Sequence, residues 1–389
     1  MSKLILLVML SAISAGTHAG ATAGDAASKH TLQAGTSALP VEASPVLDLN
    51  AFSTMQQIIP LLGKKRVVFI GEQHTRYDHH LTQLEIIRRL HALHPQLAIG
   101  MEMFQQPFQR YLDEYVAGSI DEHTMLQATE YFRRWRMDYR LYAPILRYAR
   151  EHGLPLIALN VPNELTHEVA HLGLDGLGDD YRRQLPAGIV PADEAYRRRL
   201  KEVFALHPKE EGHENFDHFV EAQLLWDEGM AERAADYLEA HPDHHLVVLA
   251  GNQHVAWDNT IPQRLQRRTA VTMASILNSW SGAVVPGLAD FLLLPEERAL
   301  PPAGRLGVLL EEDKDQVSIT TVLENGASAA AGIKTGDRIT AINNNAINSI
   351  TELRLALWDK LPGDTITMDT VREHLLMPDE NLSYELTLQ

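Results

Sequence analysis

The residues best suited to chemistry stand in an octapeptide that the chain contains twice. Val67-Val68-Phe69-Ile70-Gly71-Glu72-Gln73-His74 returns as Val247-Val248-Leu249-Ala250-Gly251-Asn252-Gln253-His254. In each copy an apolar run too short for a helix reads as a buried strand, and the glycine lets the backbone turn sharply before the histidine. Ligands of an open parallel sheet collect beyond the carboxyl ends of its strands, so both histidines fall where chemistry is usually placed and can converge on one site. A further strand, Leu97 to Met101, ends at Glu102, a natural third ligand or general base at the same edge. The plainer alternative is that two helix-flanked strands resemble each other, their histidines being solvated turn residues and Glu102 an ordinary surface group.

The elements that must position these groups can be read from periodicity. Phe52 to Leu62 has helical spacing ahead of the first repeat. Beyond His74, Thr75 and Asp78 are candidate N-caps of a helix that Leu84, Ile87 and Leu90 carry to about His91, and its N-terminal dipole would favour an anionic group beside Glu72 and His74. Residues 105–150 read as helical and aromatic, and such aromatic residues are more often core packing than a cofactor box. Leu154 to Asn160 is another strand, and Pro162 interrupts regular structure just beyond it. Residues 163–214, with Arg182-Arg183 and Arg197-Arg198-Arg199, read as solvated helix faces. Phe216 to Leu238 carries a strong helical stripe into the second repeat, Ala270 to Leu277 is one more strand, and Pro286 to Pro302 reads as a connector. The last ninety or so residues change character. Short strands at Gly307 to Leu310, Val317 to Ile319, Arg338 to Ile342 and Tyr384 to Leu388, with one helix from Ile350 to Leu361, predict a small separate β-rich domain.

Composition sets bounds on these readings. At 389 residues the chain is long enough for two domains. Lys3, the apolar run Leu4 to Leu10 and the small residues around Thr17-His18-Ala19 predict a secretory signal over 1–19, followed by a flexible Ala/Gly/Ser/Thr-rich leader over 20–45. That apolar run is far below the ~20 residues a membrane span needs, so the expectation is a periplasmic or secreted protein without a transmembrane segment. There is no cysteine, which removes disulfides, thiolate ligands, a cysteine nucleophile and cysteine acylation. A formal charge of −17 argues against nucleic acid as a partner. Of the nineteen histidines, His79-His80, His241 and His244-His245 lie in polar surroundings and are expected at the surface.

Two resemblances rest on ordered motifs. Residues 46–295 resemble the ChaN family of haem-binding uptake proteins, within the wider Tiki-like superfamily. The likeness is carried by Gly71-Glu72-Gln73-His74, Gly100-Met101-Glu102-Met103-Phe104, Tyr142-Ala143-Pro144-Ile145-Leu146, Gly153-Leu154-Pro155 with Asn160 and Pro162, Ala222-Gln223 with Trp226-Asp227, and Gly251-Asn252-Gln253-His254. It implies an α/β domain with a mainly parallel sheet flanked by helices. It also implies haem bound at a homodimer interface, with a tyrosine on the iron and a histidine from the other subunit near the propionates. Tyr142 and Tyr139, beside Trp135, are the candidate tyrosines, and His74 the candidate histidine. The superfamily also implies an alternative, a metal-dependent hydrolase. There His74, Glu102 and His254 would hold a divalent metal such as Zn or Mn with one open position, and Glu72 would act as general base. After a linker at 296–302, residues 303–389 resemble a bacterial-type PDZ domain. Arg305-Leu306-Gly307-Val308 matches the carboxylate-binding loop and Ala330 to Ile339 the turn before a central strand, which implies a protein carboxyl terminus as partner.

Overall fold

The structure is a computed structural model, and it describes residues 52–206, 215–257, 259–374 and 377–389. The signal segment and leader expected over 1–45 lie outside the described residues. The apolar runs become strands β1 (Val67–Glu72), β2 (Leu97–Gln105), β3 (Leu156–Asn160), β4 (His245–Gly251), β5 (Met273–Asn278) and β6 (Phe291–Leu293). They form one six-stranded sheet in the order β3-β2-β4-β1-β5-β6. Every neighbouring pair in it is parallel.

Alternate side chains of this sheet enter two cores. Val68 and Ile70 join Ile99, Met101 and Leu249 under the helices Tyr77–Leu93 and Ala143–His152. Val67 and Phe69 join Ala98, Leu159 and Val248 under Phe216–Ala240 and Ile261–Arg268. Burial on both faces is why these strands read as unbroken apolar runs rather than as alternation. The two octapeptide strands lie side by side, with Glu72 paired to Gly251, so the histidines beyond them leave adjacent strand ends.

Several expectations need correction. The helix after β1 starts at Tyr77 with Arg76 in the N-cap position, and neither Thr75 nor Asp78 caps it. Asp78 is instead held by the Arg76 guanidinium through two 2.9 Å hydrogen bonds. His79 and His80, expected at the surface, are fully buried at the start of that helix. Each has a partner there that polarity of sequence does not disclose: the Gln73 N–H donates to His79 Nδ1, and His80 contacts the His74 carbonyl and Gln83. β2 runs past Glu102, but its pairing with β4 stops at Met101 and its register with β3 shifts between Met101 and Gln105. Glu102 therefore stands where the ladder opens, the position expected, inside a longer strand. The connector 286–302 contains β6, a three-residue edge strand too short to carry a period.

The second sheet is antiparallel and comprises β7 (Val308–Asp313), β8 (Gln316–Val322), β9 (Arg338–Ile342), β10 (Asn345–Ala346), β11 (Thr365–Arg372) and β12 (Glu380–Thr387). The order is β12-β11-β9-β8-β7, with β10 on β9 and β7 at the edge. β11 was not expected, and the helix ends at Leu357 rather than Leu361, its start capped by the Ser349 hydroxyl accepting from the Glu352 N–H. In the loop before β7, Gly307 has φ +73°, and a Cβ there would lie 2.5 Å from Gly326 Cα. Only glycine suits that position.

The two sheets are joined by more than the linker. Leu355 of the helix Ile350–Leu357 is buried in the first domain's core, with Trp358 and Leu300 packed beside it. Trp358 meets Tyr139 edge-on at 5.1 Å, Arg354 donates to the Arg136 carbonyl at 2.7 Å, and Arg140 donates to the Pro301 carbonyl at 2.8 Å. Among the described residues no helix is long and apolar enough to cross a membrane.

Candidate functional site at the strand ends

The glycines of the two octapeptides clear space for each other's polar groups. A Cβ on Gly251 would stand 3.1 Å from His74 Cε1 and 3.3 Å from its Nε2, with Glu102 Oε2 at 3.7 Å. A Cβ on Gly71 would strike the side-chain oxygen of Asn252. Asn252 in turn closes the end of β5 by donating to the Asn278 and Ser279 carbonyls, both at 3.1 Å. The repeated Gly is thus a steric requirement of having the two motifs on adjacent strands.

Each histidine is oriented by a carboxylate. His74 Nδ1 is 2.9 Å from Glu72 Oε1, and His254 Nδ1 is 2.6 Å from Asp227 Oδ1. A carboxylate on Nδ1 fixes the ring and leaves Nε2 to face the site. Tyr196 donates to the other Asp227 oxygen at 2.8 Å. Glu72 is saturated: Tyr142 donates to Oε1 at 2.7 Å and Gln83 to Oε2 at 2.8 Å. Glu102 joins the two halves, its Oε2 accepting from the Gly251 N–H at 2.6 Å while Oε1 lies 3.6 Å from His254 Nε2. Asn160, at the end of β3, supports Glu102 by donating to its carbonyl at 3.1 Å.

The electrostatics reflect burial opposed by close opposite charges. Burial pushes the Glu72 carboxyl up, but His80 and His74 more than offset this and hold it well below the usual carboxylate range. Burial pulls His74 down, while its bond to Glu72 and the charge of Glu102 raise it above the ordinary imidazole value. For His254 burial is likewise outweighed, and Glu102 with Asp227 raises it to about 9. Trp135 meets the His74 ring edge-on at 4.8 Å, and Trp226 meets His254 at 6.1 Å.

The structure brings His74, Glu102 and His254 to one edge, with Glu72, Trp135 and Tyr142 around them. Their expected roles fare differently. Among the described residues no group of three or more His, Asp or Glu side chains is arranged to hold a metal ion. Glu72 has both oxygens engaged, Oε1 by His74 and Tyr142 and Oε2 by Gln83. The metal-dependent alternative thus finds no support among the described residues. Tyr142 and Tyr139 are both fully buried, the one donating to Glu72 and the other to Glu122 at 2.8 Å. Burial first, then the neighbouring carboxylates, push both phenols well above their ordinary values. Tyr139 meets Trp358 of the C-terminal part, whereas Tyr142 lies beside Glu72 at the strand-end site. Asp227, Tyr196, His80 and Gln83 went unrecognised as parts of the site. The pair Trp226-Asp227 was visible in the sequence, but only the fold brings Asp227 onto His254.

The second candidate site is a cleft of about 420 Å³. Arg305, Leu306, Gly307 and Val308 line one side of it and Leu353 and Leu357 the other.

These features define a class: a parallel α/β domain with two carboxylate-backed histidines at its strand ends, followed by a peptide-groove domain. The chain belongs to the haem-binding uptake family of the Tiki superfamily, ChaN, whose model matches residues 58–265, and a PDZ domain matches residues 304–378. It is similar to the solved structure of Campylobacter jejuni ChaN, described as binding haem cofacially, with 18% identity and a TM-score of 0.51 over 63% of this chain and 92% of that one. At that identity the likeness is one of fold. The C-terminal part is similar to an HtrA-type protease, AlgW, with a decapeptide, at 20% identity and a TM-score of 0.20 over 22% of this chain and 30% of that one. The chloroplastic protein RETICULATA-RELATED 5 of Arabidopsis thaliana is 30% identical over 132 residues, 32% of this chain, and the chain spans only 18% of that protein.

Proposed function

We propose that this chain binds haem at the strand-end edge carrying His74 and takes a protein's carboxyl terminus in its PDZ cleft, as an exported protein that handles haem iron. What supports the haem reading is the match of a haem-binding family across residues 58–265. The residues at this edge fit the group. His74 Nδ1 is fixed on buried Glu72, and its Nε2 has no hydrogen-bond partner among the described residues. In its neutral form this imidazole could hold the group through Nε2, and the carboxylate behind it raises its basicity. Haem would supply a ferric centre. Glu72 would keep the His74 tautomer, Trp135 would hold the ring from its edge, and Tyr142 would keep Glu72 in place. The homodimer that the resemblance implies is kept as part of this proposal, with haem taken up where two chains meet. In the PDZ domain, β7 is the sheet edge beside the carboxylate loop, so an incoming peptide would add there as a strand.

Haemin titration tests the haem reading. A saturable Soret shift is expected, with His74→Ala weakening binding at least about tenfold, as loss of a ligand or its support does. Tyr142→Phe and Tyr139→Phe should leave the iron-ligand spectrum unchanged. A tyrosinate-type spectrum that survives His74→Ala and disappears in either phenylalanine variant would move the ligand to a tyrosine. Absence of any saturable shift would remove the haem reading.

A further inference from the structure

The PDZ cleft is not built by the PDZ domain alone. Phe132, Asp138 and Arg140 of the first domain also line it, opposite the loop of Arg305 to Val308. The charge of this lining is opposite to that of the chain as a whole. Its charged side chains are three arginines, Arg140, Arg305 and Arg354, against one Asp138, whereas the chain carries −17. Asp138 is already committed, accepting from Arg140 at 3.0 and 2.6 Å. Arg354 is different. Its guanidinium lies 5.3 Å over the Phe132 ring and donates to the Arg136 carbonyl, but no carboxylate among the described residues is within ion-pair distance of it. Burial pulls its pKa below that of an ordinary guanidinium. Asp138 favours its charge from beyond ion-pair distance but is bonded to Arg140, and burial outweighs that help, so a half-buried Arg354 gains from a carboxylate that a ligand brings.

We propose that the cleft takes the carboxyl-terminal segment of an acidic protein tail across both domains. The free carboxylate would lie at the Arg305–Val308 loop, the last apolar side chain between Leu306 and Leu353, and an upstream Asp or Glu side chain on Arg354 at the domain seam. The first domain thereby selects what the PDZ domain binds. This rests on the reading of the loop as a carboxylate site, and the test separates the two.

The full chain is titrated calorimetrically with synthetic peptides ending in valine. Glu, Gln or Lys is placed in turn at each of the upstream positions, and each peptide is made with a free and an amidated terminus. At one upstream position Glu should bind about tenfold or more tighter than Gln, the usual worth of a charge-assisted bidentate contact, with Lys weaker still. Arg354→Gln should abolish that preference while leaving the loss on amidation intact, and Arg354→Lys should restore part of it. Equal binding of the Glu and Gln peptides to the wild-type chain at every position overturns the inference without use of a variant. So does a Glu preference that survives Arg354→Gln. Indifference to amidation overturns the carboxylate-loop reading instead, and absence of binding by any peptide overturns both.

Discussion

Asp227 and Glu72 do the same task for different histidines, and their settings lead to a measurable pH dependence. His254 titrates at about 9 in the fold against an ordinary 6.5, so its protonated form is favoured by folding. The stability this contributes is complete below pH 6.5 and is lost as pH rises through 9, a change on the order of 3 kcal/mol. His74, also raised, adds to it with the same sign. Urea unfolding of the haem-free protein should therefore give falling stability from pH 6.5 to 9, with a shallower slope in Asp227→Asn. A flat or rising profile would contradict the charge placement. At this scale the sequence disclosed His74, His254 and Glu102, because an apolar run followed by a polar residue marks a strand end. It did not disclose Asp227, His80 or Gln83. Those residues sit in helices where a carboxylate, imidazole or amide looks solvated until packing turns it inward. Tyr139 and Tyr142, three residues apart near a tryptophan, bond to two different carboxylates, a separation that the sequence does not disclose.

Between elements, two devices hold the strand-end residues in register. Gly251 has φ −57°, which alanine adopts freely, so Gly251→Ala tests the close approach of His74 and not backbone strain. Overpacking there should cost about 1 kcal/mol of stability but displace the His74 ring, and haem affinity should fall well beyond that small loss. A variant with wild-type haem affinity would mean His74 is not the group that binds. The second device clamps the helix Ile261–Arg268 onto Phe216–Ala240, which carries Asp227. Fully buried Glu228 is held by Arg264, Arg267 and Arg268. Arg264→Met removes the fully buried partner but leaves Arg267 and Arg268, so thermal unfolding should show a loss of ~1.5 to 3 kcal/mol. Double substitution of Glu228 and Arg264 by apolar residues should recover much of it. Helix stripes and apolar strands were legible at this scale because their periods extend over many residues. Three residues carry no period, which is why β6 was not read, whereas β11 does alternate, Thr365, Thr367 and Asp369 against Ile366 and Met368, and was legible though not read.

Across the whole molecule, the contact of Trp358, Leu355 and Arg354 with the first domain converts a proline-containing connection into a seam. The sequence showed residues 296–302 only as a linker, and the contacts of Arg140 with Pro301 and of Tyr139 with Trp358 tie the two parts together. Calorimetry should therefore give one unfolding transition for the full chain, resolving into two in Trp358→Ala, because domains that share buried apolar contacts unfold together. The segment from Tyr131 to Tyr142 gives this seam a second meaning. Phe132, Asp138 and Arg140 on it line the peptide cleft, while Trp135 touches His74 and Tyr142 touches Glu72. Glu130 and Arg136, both in the left-handed region, bracket its first turn. One short stretch of chain thus has a ligand site at each end, and equilibrium makes any influence between them reciprocal. If haemin tightens peptide binding by some factor, the peptide must tighten haemin binding by that same factor. Paired titrations in the wild-type chain should give equal ratios differing from one by about fivefold or more, and Trp135→Ala should return both to unity. The chain would then be a coincidence detector, retaining its haem most firmly when a protein tail is docked beside it.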